Sequence, residues 1–120
     1  MLLRSNAGRI YRSDSDDFGK TWSRIYPTNL VHNNSGIDLV RLPDGRLILA
    51  HNPILNGRNK LVLSMSCDNG VNWQVLEILE DNPDVSKHYS YPSVILLRNG
   101  TIAVSYTFEK QQIAVAYLKL

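Results

Sequence analysis

SDDFGKTW, residues 15–22, and SCDNGVNW, residues 66–73, are two copies of one motif set 51 residues apart. Both fit Ser-x-Asp-x-Gly-x-(Thr/Asn)-Trp. Recurrence near 50 residues marks a propeller or another repeat array. A second pair of signals keeps step with the first: LPDGRLIL around Asp44–Gly45 and LRNGTIAV around Asn99–Gly100. Asp-Gly and Asn-Gly between apolar runs specify two-residue hairpins, because both turn positions need positive φ. These turns lie 55 residues apart, and the four additional residues are expected in the polar stretch EDNPDVSKHYS, residues 80–90.

The apolar residues fall in short runs rich in β-branched and aromatic side chains, with no sustained helical period. Strands are predicted near residues 9–13, 22–26, 37–42, 46–51, 60–66, 73–79, 92–98, 101–107 and 112–118, with an edge at Leu2–Ser5. Lettered a to d from the inside outward, they read (b), c, d, then a, b, c, d, then a, b, c. The expected fold class is therefore all-β: about two and a half β-propeller blades, each a four-stranded antiparallel sheet, across residues 1–120. Propellers typically close with four to eight blades, so this number cannot form a ring. An open array leaves strand edges and apolar faces unpaired, which invites association, including homo-oligomerisation through blade edges. Met1 falls where a strand is already under way, so a longer parent is expected. The ending at a c strand suits a closure in which the parent's N-terminus supplies the outer strand.

In an antiparallel meander, successive connections alternate between the two ends of the strands. Both repeated motifs are c–d turns and both hairpin dipeptides are a–b turns, so all four are expected at one end. The other end receives the longer, more varied segments: RSNAG after Leu3, PTNLVHNNSGID from Pro27, HNPILNGRN from His51 and EDNPDVSKHYSYP from Glu80. Loops of that kind on a rigid scaffold are where sites are built.

Composition excludes several classes. Apolar residues at 43% and charged residues at 20% describe a globular chain, not a disordered one. A net charge of +2 is too small to argue for nucleic acid or for a polybasic membrane contact. No apolar run approaches the roughly 18 residues that span a bilayer. The start, MLLRSNAGRIYRS, has no signal-peptide pattern. The lone Cys67 allows no internal disulfide. DSDDFG has an EF-hand flavour, but Phe18 and Ile25 occupy positions where calcium ligands are needed. His32, His51 and His88 stand apart as loop residues without zinc spacing, and nothing in the sequence calls for a metal or a cofactor.

The repeated motif itself reads as structural. Gly19 and Gly70 supply backbone freedom, Asp17 and Asp68 accept hydrogen bonds from turn N–H groups, and Trp22 and Trp73 are expected to wedge between sheets. Chemistry is expected at the opposite end. Arg4, Arg58, Tyr91 and Asp38 project from the long loops or the adjacent strand ends. Two arginines from different blades aimed at one axis suit a carboxylate, which guanidinium groups bind through paired charge-assisted hydrogen bonds.

The motif resembles the Asp-box, or BNR repeat, of the sialidase superfamily, and the likeness extends to these residues. MLLRSNAGRIYRSDSDDFGKTW is similar to the sialidase stretch that holds the second arginine of the carboxylate-binding triad, matched by Arg4. HNPILNGRNKLVLSMSCDNGVNW is similar to the stretch holding the third, matched by Arg58. SYPSVILLRNGTIAVSYT is similar to the stretch that begins with the nucleophilic tyrosine, matched by Tyr91, with Tyr89 a competing candidate. The NSGID (34–38) and YSYPSV (89–94) segments resemble the BNR-repeat sialidase-like subfamily. The resemblance implies the C-terminal portion of a six-bladed propeller hydrolase that cleaves sialic-acid-like sugars from glycans with retention, through a glycosyl-tyrosine intermediate. It also implies an acid/base Asp, an activating Glu and a first triad Arg upstream, and no residue here matches them. The alternatives are a non-catalytic carbohydrate-binding module and a unit that oligomerises to close a ring.

Overall fold

The computed structural model describes all 120 residues, as ten β-strands and no helix. No segment is therefore a helix long and apolar enough to cross a membrane. The first sheet joins β1 (Leu2–Leu3), β2 (Arg9–Arg12) and β3 (Tyr26–Val31). The second joins β4 (Asp38–Arg41), β5 (Leu47–His51), β6 (Lys60–Ser66) and β7 (Gln74–Asp81). The third joins β8 (Tyr89–Leu96), β9 (Thr101–Phe108) and β10 (Gln112–Lys119). Every pairing is between chain neighbours and antiparallel, so each sheet is a meander. One complete four-stranded blade thus stands between two three-stranded ones, as the motif spacing predicts.

The core lies between the second and third sheets. Ile48, Ala50, Leu61 and Leu63 meet Tyr89, Val94, Ile102, Val104 and Tyr106. β5 and the middle of β6 are buried on both faces, which explains their continuous apolar runs LILA and LVL. β10 instead alternates. Ala114, Ala116 and Leu118 pack on the core, while Ile113, Val115 and Tyr117 are exposed on the outer face. Tyr106 ties the sheets further by donating its hydroxyl to Glu80 at 2.7 Å.

Two strands differ from the sequence expectation, and both contain proline. β3 runs from Tyr26 rather than ending there, with Pro27 opposite Tyr11. It is an edge strand, where a missing N–H need not interrupt a ladder. β8 begins at Tyr89, inside the stretch expected to be loop, and carries Pro92 at a register shift between Ser90 and Ser93. A bulge accommodates proline because its residues leave the ladder.

The repeated turns match atom for atom. Ser15 and Ser66 each accept from the N–H of Gly19 or Gly70 at 2.8 Å and donate to Asp17 or Asp68 at 2.8 Å. The carboxylates also accept from the backbone and side chain of Thr21 or Asn72. The positive φ of 84° at Gly19 and 81° at Gly70 explains the glycine. The tryptophans are a correction to the expected wedge. Trp22 is 48% exposed and Trp73 half-buried. Each indole N–H donates to its own glycine carbonyl at 3.1 Å, which folds the ring back over the turn. The rings cap their turns more than they fill the space between sheets.

Two of the three histidines are buried, not loop-exposed: His51 lies in β5 and His32 just after β3. Each leaves Nδ1 without a partner. Burial depresses both, to about 4, with the Arg4 and Arg58 charges adding to the effect at His32, and His32 adding to it at His51. Hydrogen bonds from Thr21 hold Asp17 at about 2, and those from Asn72 hold Asp68 at about 2.

Acid destabilisation should therefore come in two stages. Neutral buried histidines oppose protonation that the unfolded chain accepts, so stability falls as pH drops from about 6.5 to about 4. The Asp-box carboxylates contribute stability above their unfolded value near 3.8 that is lost as pH falls toward 2. Urea midpoints measured across this range should show both stages. His51→Gln should flatten the upper one, and Asp68→Asn the lower. Leu63→Ala, at a fully buried position of β6, should cost about 2–5 kcal/mol at any pH in chemical denaturation.

Candidate functional site

The alternation of the meander places the site. The Asp-box turns and the Gly45 and Gly100 turns join strands at one end, and the long loops gather at the other. Four contacts hold those loops together. Asn33 donates through Nδ2 to the Gly57 carbonyl, and Arg4 donates through Nε to Asn34 Oδ1 at 3.1 Å. A Cβ on Gly36 would lie 3.1 Å from Cδ1 of Tyr91, and one on Gly8 would lie 3.3 Å from Leu55.

Each functional side chain has a local cause for its position. Arg4 follows the short β1 at the open end of the first sheet. Arg58 leaves the 52–59 loop through a bridge to His88, and its carbonyl accepts from the Tyr89 N–H at 2.8 Å. That pairing brings Arg58 beside the start of β8. Tyr91 sits in the β8 bulge at φ 52°, a left-handed conformation that turns its side chain out of the ladder. It is 58% exposed, whereas Tyr89 is 3% exposed, packed against Phe108 at 5.1 Å between ring centroids with the rings tilted by 55°, and contacted at its hydroxyl by Asn82. The competing tyrosine is thus a core residue.

The Arg58 guanidinium lies over the Tyr91 ring, its Cζ 5.4 Å from the centroid. Arg58 draws the phenol below its usual value of 10, first as a hydrogen-bond donor and then by its charge, and the charge of Arg4 adds to this. The face-on geometry supports the charge effect more than a linear hydrogen bond. His88 lies at the margin, its Nδ1 3.3 Å from Ser90 Oγ. Burial holds it below 6.5, with the charges of Lys110 and Arg58 contributing.

Asp38 faces neighbouring backbone. One carboxylate oxygen accepts from the Val94 N–H at 2.8 Å and the Ser93 hydroxyl at 3.3 Å, and the other from the Leu39 N–H at 3.0 Å. It thereby fastens β4 to the strand bearing Tyr91. Beneath lies a buried polar hub that the sequence reading missed. Ser35 Oγ lies 2.8 Å from Asn52 Oδ1 and 3.3 Å from His32 Nε2. Asn52, fully buried, donates to the carbonyls of Lys60 at 2.6 Å and Tyr89 at 2.9 Å. A polar run ending in Gly, NNSG, is the only sequence trace of this arrangement.

Chemically, the cluster offers two guanidinium groups and one exposed phenol of lowered pKa, with no group of three or more His, Cys, Asp or Glu side chains that could hold a metal. A cavity of about 420 Å³ lies elsewhere, in an inter-sheet groove at the Asp-box end lined by Arg12, Leu39, Leu47, Trp22 and Trp73 among others. The arginine–tyrosine cluster lies outside this groove, at the loop end, with Tyr91 exposed.

Solved structures that share this fold include proteins from three organisms. The intramolecular trans-sialidase of Ruminococcus gnavus, solved with oseltamivir carboxylate, superposes with a TM-score of 0.78 at 18% identity, over 99% of this chain and 29% of its own. The leech intramolecular trans-sialidase, solved with 2,7-anhydro-Neu5Ac, gives 0.77 at 15% identity, over 98% of this chain and 21% of its own. The NanB sialidase of Streptococcus pneumoniae gives 0.71 at 17% identity, over 99% and 21%. The chain therefore spans between about a fifth and three-tenths of the length of these proteins. No curated protein sequence matches it. At these identities the likeness is one of fold: a partial β-propeller of the sialidase type. The BNR repeat-like domain model matches residues 1–104, and the chain belongs to that family.

Proposed function

We propose that this chain is the C-terminal part of a sialidase-like glycoside hydrolase that cleaves terminal sialic-acid-like sugars from glycans. In this reading Arg4 and Arg58 hold the sugar carboxylate, and Tyr91 is the nucleophile. Asp38, first expected to touch substrate, serves by anchoring the tyrosine strand. The observation that carries the reading is the stacking of Arg58 on an exposed, bulge-borne Tyr91, with Arg4 near enough to act on the same phenol.

The chemistry is coherent. A carboxylate nucleophile would be repelled by an anionic sugar, whereas a neutral phenol is not. Attack by Tyr91 Oη at the anomeric carbon expels the aglycone and forms a glycosyl-tyrosine. Water then attacks the same carbon, releases the sugar with net retention and returns the phenol. Cationic neighbours ease loss of the phenolic proton as the bond forms. Protonation of the leaving group requires an acid, and the one carboxylate at this cluster, Asp38, is engaged with backbone and hydroxyl donors. The acid, the base that activates tyrosine and a further arginine are assigned to the remainder of the parent protein. A second reading, a propeller that binds sugars without cleaving them, has in its favour the Tyr91-Pro92-Ser93 sequence, where the sialidase resemblance implies Tyr-Ser-Asp.

Two measurements test the proposal. The purified chain should show no turnover of a fluorogenic sialoside, and turnover abolished by Tyr91→Phe in a monomeric sample would contradict the assignment of the missing groups. In the complete parent, Arg58→Ala should weaken binding of a carboxylate sugar by about 2–5 kcal/mol, with a much smaller effect on the same sugar reduced to the alcohol. Equal losses for both ligands would remove the carboxylate role.

A further inference from the structure

Several contacts at the cluster are made by residues that no role has yet absorbed. The segment Asn34–Ser35–Gly36 links β3 of the first sheet to β4 of the second, and each residue touches a different component. Asn34, at a left-handed φ of 63°, presents Oδ1 to Arg4 Nε at 3.1 Å. Ser35, fully buried, reaches Asn52 and His32 in the hub. Gly36 meets Tyr91, where an added Cβ would lie 3.1 Å from Cδ1, 3.4 Å from Cα and 3.7 Å from Cε1.

We propose that Asn34 and Gly36 are positioning residues: Asn34 orients the Arg4 guanidinium, and Gly36 sets the seat of the Tyr91 ring beside Arg58, with the buried Ser35 hub as their common base. The assignment rests on Arg4, Arg58 and Tyr91 forming the site described above.

Three features support it. Gly36 lies outside the left-handed region, since it is absent from the residues of positive φ. Its backbone would accept alanine, so the requirement for glycine is the space occupied by Tyr91. That space has a firm far wall, because the contact reaches the Tyr91 backbone as well as the ring, and the Val94 N–H just beyond is held by Asp38. A Cβ at 36 therefore requires the Tyr91 ring to shift by a few tenths of an ångström, and a larger side chain requires more. Asn34 Oδ1 takes the Nε–H of Arg4 and no carboxylate pairs with that guanidinium, so its charge acts on the Tyr91 phenol and is left uncompensated for an anionic ligand.

The test uses this chain, labelled at tyrosine Cζ and arginine Nε for NMR, and needs neither turnover nor bound sugar. The Tyr91 resonance is assigned by its loss in Tyr91→Phe. In the wild type its phenol should titrate below 10; in Gly36→Ala and, further, in Gly36→Val it should move up toward 10 while the other five tyrosines titrate unchanged. The Arg4 Nε–H should exchange slowly with solvent in the wild type, fast in Asn34→Gly, and slowly again in Asn34→Asp, which keeps both the left-handed backbone and the acceptor. A folded Gly36→Val chain with an unmoved Tyr91 titration, or Asn34→Gly with unchanged Arg4 exchange, would overturn the respective assignment. If Gly36→Val does not fold, Gly36→Ala decides in its place, and if neither folds, the Asn34 pair decides the proposal. Observing these shifts in a chain whose parent proves inactive would defeat the hydrolase reading alone.

Discussion

The hydrogen bonds that Asp38 accepts from Val94 N–H and the Ser93 hydroxyl join the second sheet to the third at the point where chemistry is expected. β8 is an edge strand, so the N–H of Val94, just beyond the bulge and paired in register with Val104, points out of the ladder, and an unpaired buried N–H is costly. The carboxylate from the adjacent sheet satisfies that need and pins the strand just beyond Tyr91. The left-handed backbone at Tyr91 is unfavourable for an aromatic residue in isolation, and such conformations persist where surrounding contacts over-determine them. Asp38 on one side and Gly36 on the other supply those contacts.

Charge is distributed with the same division of labour. At the Asp-box end, Arg12 is neutralised by Asp14 at 2.7 Å and also donates to the Asn69 carbonyl at 2.8 Å, which links the first sheet to the second Asp-box. At the loop end, Arg4 and Arg58 have no carboxylate partner within salt-bridge distance. Their field reaches buried His32 and exposed Tyr91 alike, lowering the pKa of both. Cationic side chains left unpaired beside a buried neutral imidazole make an end of the molecule that favours anions.

Much of this organisation was legible in the chain. Repeated Ser-x-Asp-x-Gly-x-(Thr/Asn)-Trp and the Asp-Gly and Asn-Gly dipeptides act through bonds within a few residues, so they specify their turns locally. Alternation of a meander then separates the two ends without further information, and it brought Arg4, Arg58 and Tyr91 to the same end. Errors arose where non-local packing prevails. Pro27 and the residues just before Pro92 read as loop, yet an edge strand and a bulge accommodate the prolines. Trp22 and Trp73 were expected between sheets, yet their N–H groups satisfy themselves on the turn.

The residue types and their spacing by themselves determined an all-β chain of repeated meanders, its tight turns, and the end at which two arginines and a tyrosine gather. Those are consequences of local hydrogen bonding and of connectivity, which a linear pattern encodes. Tertiary structure alone decided that Tyr91 and not Tyr89 is exposed, that Asp38 faces backbone, and that His32, Ser35 and Asn52 form a buried hub. Each of these depends on which atoms from distant segments meet, Asp38 with Val94 or Asn52 with Tyr89, and such meetings arise only when the sheets pack against one another.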